Sequence, residues 1–268
     1  MLARTLGWPA PHSSFLRVAA HMEENTLRLA DAVYSSSRCS PEWCQRVYGL
    51  DMERVPVIHA GVDLTRFRPL EVEGDGRPTI VFAGRLVAHK GVVALVEAAC
   101  RVGAAHPDLR VKLVGRADRA MVCRLQETAA QAGLPALLEF VGFVPREELA
   151  VQLCQAHLFA APSEYEGGPG FVYLEAMACG LPVIACAGSG AAEVVQAGAT
   201  GLLVPPRDHD ALCAALERLL ASPRRRRAMG LRARRYVERH ADARACTARL
   251  EAFYESVLAG RQTVPGTP

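Results

Sequence analysis

Arg85 and Lys90 stand in the segment Gly84-Arg85-Leu86-Val87-Ala88-His89-Lys90-Gly91, five residues apart on a loop bounded by glycine. Two cations on one short loop can converge on a diphosphate. A helix read from Gly91 onward adds unpaired N–H groups and the positive end of its dipole. The same residues could form a solvated basic turn, but their place directly after a strand favours a ligand. A second segment, Pro162-Ser-Glu-Tyr-Glu166-Gly-Gly-Pro-Gly170-Phe-Val-Tyr-Leu-Glu175, runs from a glycine-rich loop into a helix. Gly167, Gly168 and Gly170 let backbone approach a ligand closely. The helix starts near Phe171, so its first amides can bind phosphate oxygens. Glu175 falls in the second turn, where a carboxylate can accept hydrogen bonds from ribose hydroxyls. Read separately, Glu166 and Glu175 would be surface charges; a glycine loop, a helix start and an acid in this order are more specific.

Strands and helices alternate around these segments. Strand signals cover 79–83, 111–114, 137–144, 158–161, 182–186 and 201–204, each a short apolar run. Helical spacing covers 91–105, 119–132, 146–156, 171–179, 191–197 and 208–220, with Asp208 as a cap. Strands that are continuously apolar rather than alternating belong to a parallel sheet covered on both faces. The expected fold is therefore α/β, a Rossmann-like doubly wound parallel sheet, with ligands beyond the carboxyl ends of its strands.

Residues 1–62 read as too little for a second such domain. A helix covers Arg17–Ala30, Ala32–Tyr34 and Val55–Ile58 read as strands, and Ser40-Pro41 as a helix start. Residues 63–78, broken by Gly and Pro and rich in acids, read as a linker. At the far end, 243–258 is helical by spacing, with Leu250, Phe253, Tyr254, Val257 and Leu258 on one face. This helix is expected to pack back on the Arg17–Ala30 region and to leave apolar surface for self-association.

Composition narrows the class. The 268 residues are 50% hydrophobic and carry a formal charge of +3, too small to imply nucleic acid. Ten arginines between Ser222 and Arg249 concentrate the excess, read as a solvated helical face before an anionic lipid surface. Nine scattered cysteines have no zinc spacing and read as small buried residues of a reducing compartment. No apolar run approaches the roughly 18 residues of a membrane span. The start of the chain, interrupted by Arg4, Pro9, Pro11 and His12, has no signal-peptide core. The expectation is a cytoplasmic protein with at most peripheral contact with the inner face of a membrane. Gly188-Ser-Gly190-Ala-Ala-Glu193 is a poor match to a dinucleotide loop, since Glu193 replaces the last glycine. His89 and His157 read as packing or loop residues rather than bases.

Together these segments resemble glycosyltransferase family four, of the GT-B fold. Its second domain carries a G-R-x4-K-G loop and a signature of two glutamates. His59–Pro69, Leu113–Arg116, Phe140–Val144, Leu181–Ile184 and Thr200–Pro205 resemble the family as well. The resemblance implies that Arg85 and Lys90 hold a donor's diphosphate, with the amides of Phe171 and Val172 on its phosphates. It implies further that Glu175 binds the ribose, that Gly115 and Val144 lie beside the base, and that Glu166 faces the donor sugar. Arg85, Lys90 and Glu166 become catalytic candidates. Gly84, Gly167, Gly168 and Gly170 complete the donor site. Two departures stand out. Glu166 and Glu175 have eight residues between them where the family has seven, so the family's first glutamate would fall on Gly167. Residues 1–62 match only the tail of the family's first domain, as an N-terminally truncated chain would.

The implied reaction moves a sugar from a nucleotide diphosphate sugar to an acceptor hydroxyl with retained configuration. The acceptor, whether glycan, lipid or small molecule, is not legible. Side-chain cations serve the leaving diphosphate, so neither metal nor cofactor is expected. The rival readings are a non-catalytic nucleotide-sugar-binding module and an epimerase of the same fold. The implied organisation is an acceptor-domain remnant over 1–62, a linker over 63–78, a donor domain over 79–242 and a returning helix over 243–260.

Overall fold

A computed structural model describes residues 14–72 and 76–260, with Ser14–Arg17 by backbone alone. The first 13 residues of the N-terminal segment and residues 73–75 of the predicted linker lie outside it. Strands β1 (Thr79–Ala83), β2 (Arg110–Val114), β3 (Leu138–Gly142), β4 (Leu158–Ala161), β5 (Val183–Cys186) and β6 (Gly201–Val204) form one sheet. Their order is β3-β2-β1-β4-β5-β6, and every pairing is parallel. β1, β4 and β5 are buried at every position, which is why they read as unbroken apolar runs.

Nine helices are described: α1 (Ser14–Leu29), α2 (Cys39–Tyr48), α3 (Val92–Gly103), α4 (Arg119–Gln131), α5 (Arg146–Cys154), α6 (Phe171–Ala178), α7 (His209–Leu220), α8 (Pro223–His240) and α9 (Ala243–Leu258). α3 packs on α4 and α7, while α6 packs on α5 and α8, so helices cover both faces of the sheet. Side-chain caps start α4 and α7: Asp118 and Asp208 accept from the amides of Met121 and Ala211 at 2.7 and 2.8 Å. The expected helix at 191–197 is a 3-10 turn over Gly190–Glu193. Among the described residues no helix is long and apolar enough to cross a membrane.

The arginine run is not wholly a solvated face. Arg226 is buried, and its guanidinium donates to the carbonyls of Leu219 and Leu220 at 2.7 Å, closing the last turn of α7. Burial and the neighbouring Arg227 lower its pKa. Arg234 donates to the carbonyls of Ala178 and Phe67, both at 2.8 Å, and so fastens the end of α6 to the segment before β1. Arg224, Arg225, Arg227, Arg232, Arg235 and Arg239 are exposed. The cysteines are all free; Cys179, Cys186 and Cys246 are buried, but Cys123 is exposed.

The N-terminal part departs further from expectation. Ala32–Tyr34 and Val55–Ile58 do not form strands; what remains is a parallel bridge between Ser35 and Val57. No third strand among the described residues flanks them, so no ladder extends. α2 starts at Cys39, one residue before the predicted serine cap, and it is the Ser37 hydroxyl that receives the Ser40 amide. Phe253 of α9 is buried, with Tyr34 at 5.6 Å between ring centres, just beyond α1. Tyr254 meets the same ring at 6.2 Å, but Leu258 is 88% exposed. The crossing between the two parts is backbone: Val62 bonds to Ala241 and Ala243 at 2.8 and 3.1 Å.

α8 packs against the turn between α6 and β5 through Gly230. A Cβ there would collide with the Gly180 carbonyl oxygen, backbone that cannot swing aside. Gly230→Ala should therefore lower stability by roughly 1–3 kcal/mol, the usual cost of overpacking. Urea unfolding checks this, and an unchanged midpoint would show that the helix slides freely.

Candidate functional site

Three loops leave the carboxyl ends of β1, β2 and β3 and are tied to one another. The Gly84 amide donates to Val114 O at 2.9 Å, Leu86 to Arg116 O at 2.9 Å, and Gly115 to Gly142 O at 2.7 Å. A fourth loop, after β4, joins them through Ser163. Its buried hydroxyl spans His89 O at 3.2 Å and Tyr165 O at 2.9 Å. The sequence reading passed over Ser163; nothing in a single serine announces such a bridge. α6 is set against β4 by Tyr173, whose phenol donates to Ala161 O and whose ring packs on Phe159 at 5.2 Å. Burial pushes the Tyr173 phenol well above its usual range, so it stays a donor.

These loops enclose a cavity of about 480 Å³. Gly84, Arg85, Lys90, Gly115, Val144, Glu166, Gly170, Phe171, Val172 and Glu175 all line it. Gly167 and Gly168 are not among its lining residues and instead face the N-terminal segment. The Phe171 and Val172 amides open α6 with no acceptor among the described residues, as expected of a first turn. Arg85 is exposed and holds no ion pair with a described residue. Lys90 Nζ lies 2.7 Å from Glu166 Oε1. Beside them burial, then Lys90 and Arg85, push the His89 imidazole below its usual range, which favours the neutral ring. Glu164 turns away from the cavity to Arg207, at 2.8 Å.

Two lining arginines escaped the sequence reading. Arg146, the first residue of α5, pairs with Glu175, and its guanidinium lies 5.9 Å from the Phe67 ring centre. Arg116 stacks over Phe143 at 4.7 Å, and that ring is 65% exposed at the rim. Both follow strands, in the same relation to the sheet that drew attention to Arg85. Among the described residues no group of His, Cys, Asp or Glu could hold a metal ion.

Gly167 and Gly168 bulge toward residues 35–40, where the Ser37 hydroxyl donates to Gly167 O at 2.6 Å and Ser40 donates to the same oxygen. Gly190 closes the other side. Its amide donates to Glu166 O at 2.8 Å, and a Cβ on it would collide with Gly168 O. Glu193, the last residue of the segment that imitates a dinucleotide loop, accepts the amides of Arg38 and Cys39 at 2.9 and 3.0 Å. A carboxylate from the 3-10 turn thus caps α2 in the N-terminal part.

Strand order and a cavity at the reversal between β1 and β4 place the chain among Rossmann-like α/β folds. A model of the glycosyl transferases group 1 family matches residues 65–236, and the chain belongs to that family. It is 38% identical over 192 residues to the GDP-mannose-dependent alpha-(1-6)-phosphatidylinositol monomannoside mannosyltransferase of Mycolicibacterium smegmatis, covering 66% of this chain and 50% of that one. It is 33% identical over 229 residues to the D-inositol 3-phosphate glycosyltransferase of Rhodococcus opacus, covering 81% and 51%. The chain spans about half the length of the curated relatives it matches. Sucrose-phosphate synthase from Thermosynechococcus elongatus superposes with a TM-score of 0.81 at 30% identity, over 93% of this chain and 64% of that one. The architecture is a Rossmann-like six-stranded parallel sheet with helices on both faces, as in glycosyltransferases of the GT-B fold.

If Glu193 holds α2 and the glycine bulge together, Glu193→Ala should speed hydrogen exchange at the Arg38 and Cys39 amides by roughly tenfold. Amides of β1 and β4 should not change. Equal acceleration everywhere would mean that Glu193 acts on global stability instead.

Proposed function

We propose that this chain binds a nucleotide diphosphate sugar and takes part in transferring its sugar to an acceptor hydroxyl with retained configuration. The observation that carries the reading is the charge layout of the cavity. Arg85, Lys90, Arg116 and Arg146 line it against Glu166 and Glu175 alone. Lys90 and Arg146 are each paired with one of these carboxylates, while Arg85 and Arg116 form no ion pair with a described residue. A diphosphate supplies the charge that such a cavity lacks.

In this reading Arg85, Lys90 and the first amides of α6 take the diphosphate. They stabilise the negative charge that grows as the glycosidic bond breaks. Lys90 exchanges Glu166 for a phosphate oxygen, which leaves the Glu166 carboxylate beside the donor sugar. Glu175 takes the ribose hydroxyls, and Gly115 and Val144 flank the base. Residues 79–242 form the donor domain and 63–78 the linker; 1–62 belong to the acceptor side, where 243–260 return. The Mycolicibacterium relative is named for GDP-mannose, so GDP is the first nucleotide to test and UDP the second.

Arg85→Ala and Lys90→Ala should each weaken nucleoside diphosphate binding by about 1.5–3 kcal/mol, the worth of a charged hydrogen bond. Calorimetry with wild-type affinity in both variants would remove the phosphate assignment. Turnover is read as nucleotide released from the sugar donor with and without acceptor. Proton NMR of the product should show the anomeric configuration of the donor; the opposite configuration would exclude retention.

A further inference from the structure

Glu175 poses a problem that its own helix does not solve. Its side chain is buried, at 4% exposure, yet it lines the cavity where a ribose would lie. A carboxylate out of water is costly to keep charged unless a cation or several donors attend it. α6 supplies neither, because the residue lies beyond the free amides of the first turn. Arg234, which meets the end of the same helix, is engaged by the carbonyls of Ala178 and Phe67 and by Glu238, and Lys90 is paired with Glu166. Arg146 is the one ion-pair partner of Glu175 among the described residues. It donates from Nη2 to Oε1, and Oε2 accepts no hydrogen bond from a described residue.

Arg146 is itself held in place. It begins α5 directly after Pro145, and its guanidinium sits over the ring of Phe67, which is fully buried. The Phe67 carbonyl in turn takes Arg234 at 2.8 Å. A planar guanidinium that starts a helix and lies against one buried ring meets the carboxylate from a defined direction, which sets that carboxylate's rotation.

We propose that Arg146 is a positioning residue for nucleotide recognition: it holds Glu175 by Oε1 and leaves Oε2 for the cavity, so that ribose selectivity depends on Arg146 without its touching the ribose. The proposal rests on the reading of Glu175 as the ribose acceptor. Arg146 belongs to neither of the two motifs that mark this site in the sequence.

The test is calorimetry of GDP and 2′,3′-dideoxy-GDP, and of the UDP pair, on wild type, Glu175→Gln, Arg146→Met and Arg146→Lys. Wild type should prefer the ribonucleotide by roughly tenfold or more, as for a hydrogen bond to a charged acceptor. Arg146→Met should bring that ratio to within about threefold of unity, as should Glu175→Gln, with the dideoxy affinity held within a similar factor. Arg146→Lys should recover much of the ratio, since an ammonium restores the charge without the planar fork. The retained dideoxy affinity shows that the Met variant is folded.

Three results would overturn the proposal. A wild-type ratio in Arg146→Met, alongside a collapsed ratio in Glu175→Gln, removes Arg146 and leaves the ribose reading standing. Equal loss of ribo and dideoxy affinity in Arg146→Met makes Arg146 a phosphate ligand or a fold element. No ribose preference in wild type removes the reading of Glu175 and the proposal with it.

Discussion

The chain leaves β1 for β2 through α3, and leaves β4 for β5 through α6, so the two connections run to opposite sides of the strand pair β1–β4. Helices that part in this way cannot cover the carboxyl ends of the strands between them, and a crevice stays open there. Everything polar in the site follows from that topology. β1 and β4, whose ends frame the crevice, are buried throughout and carry no charged residue. The cations and carboxylates of the site stand beyond them, on loops and near the starts of α5 and α6, and those loops are short enough to bond to one another through Gly84, Gly115 and Gly142.

Within the crevice, charge is arranged in pairs of unequal depth. Lys90 and Glu166 meet while both side chains are partly open to solvent, so either can exchange its partner cheaply. Glu175 is buried and Arg146 much less so, and separating them would strand a carboxylate out of water. The first pair suits a group that must release its cation to an incoming phosphate. The second suits a fixed acceptor. The same motif thus holds two glutamates whose surroundings give them different freedoms.

The N-terminal segment is joined to this crevice rather than merely adjacent to it. Ser37, Ser40 and Glu193 tie the start of α2 to the Gly167–Gly168 bulge, and Gly190 locks the bulge from behind. Glu166 lies at the root of that bulge. Motion of the N-terminal part would therefore be felt first at the carboxylate beside Lys90, and hardly at Glu175, which answers to α5, α6 and the linker through Arg146 and Phe67.

The sheet and its helices were legible in the sequence because burial on both faces leaves one signature, a short unbroken apolar run, and β1, β4, β5 and β6 carry it; β2 and β3, with Lys112 and Glu139, show it only in part. Arg85, Lys90, Glu166 and Glu175 were legible for a related reason: a strand end followed by a loop restricts where a side chain can go, so residue type and place together imply a site. The segments before Pro78 were read less well. Ala32–Tyr34 and Val55–Ile58 have strand-like composition, but a strand needs a neighbour to bond to, and composition does not say whether one is present. Ser40 falls inside α2, and the start of that helix is capped from across the interface by Glu193, a partner that local sequence does not show. Arg146, Arg116, Ser163 and Glu193 act through partners far away in the chain. Such pairs are decided by the packing of α5 on α6 and of the 3-10 turn on α2, which is a property of the folded chain alone.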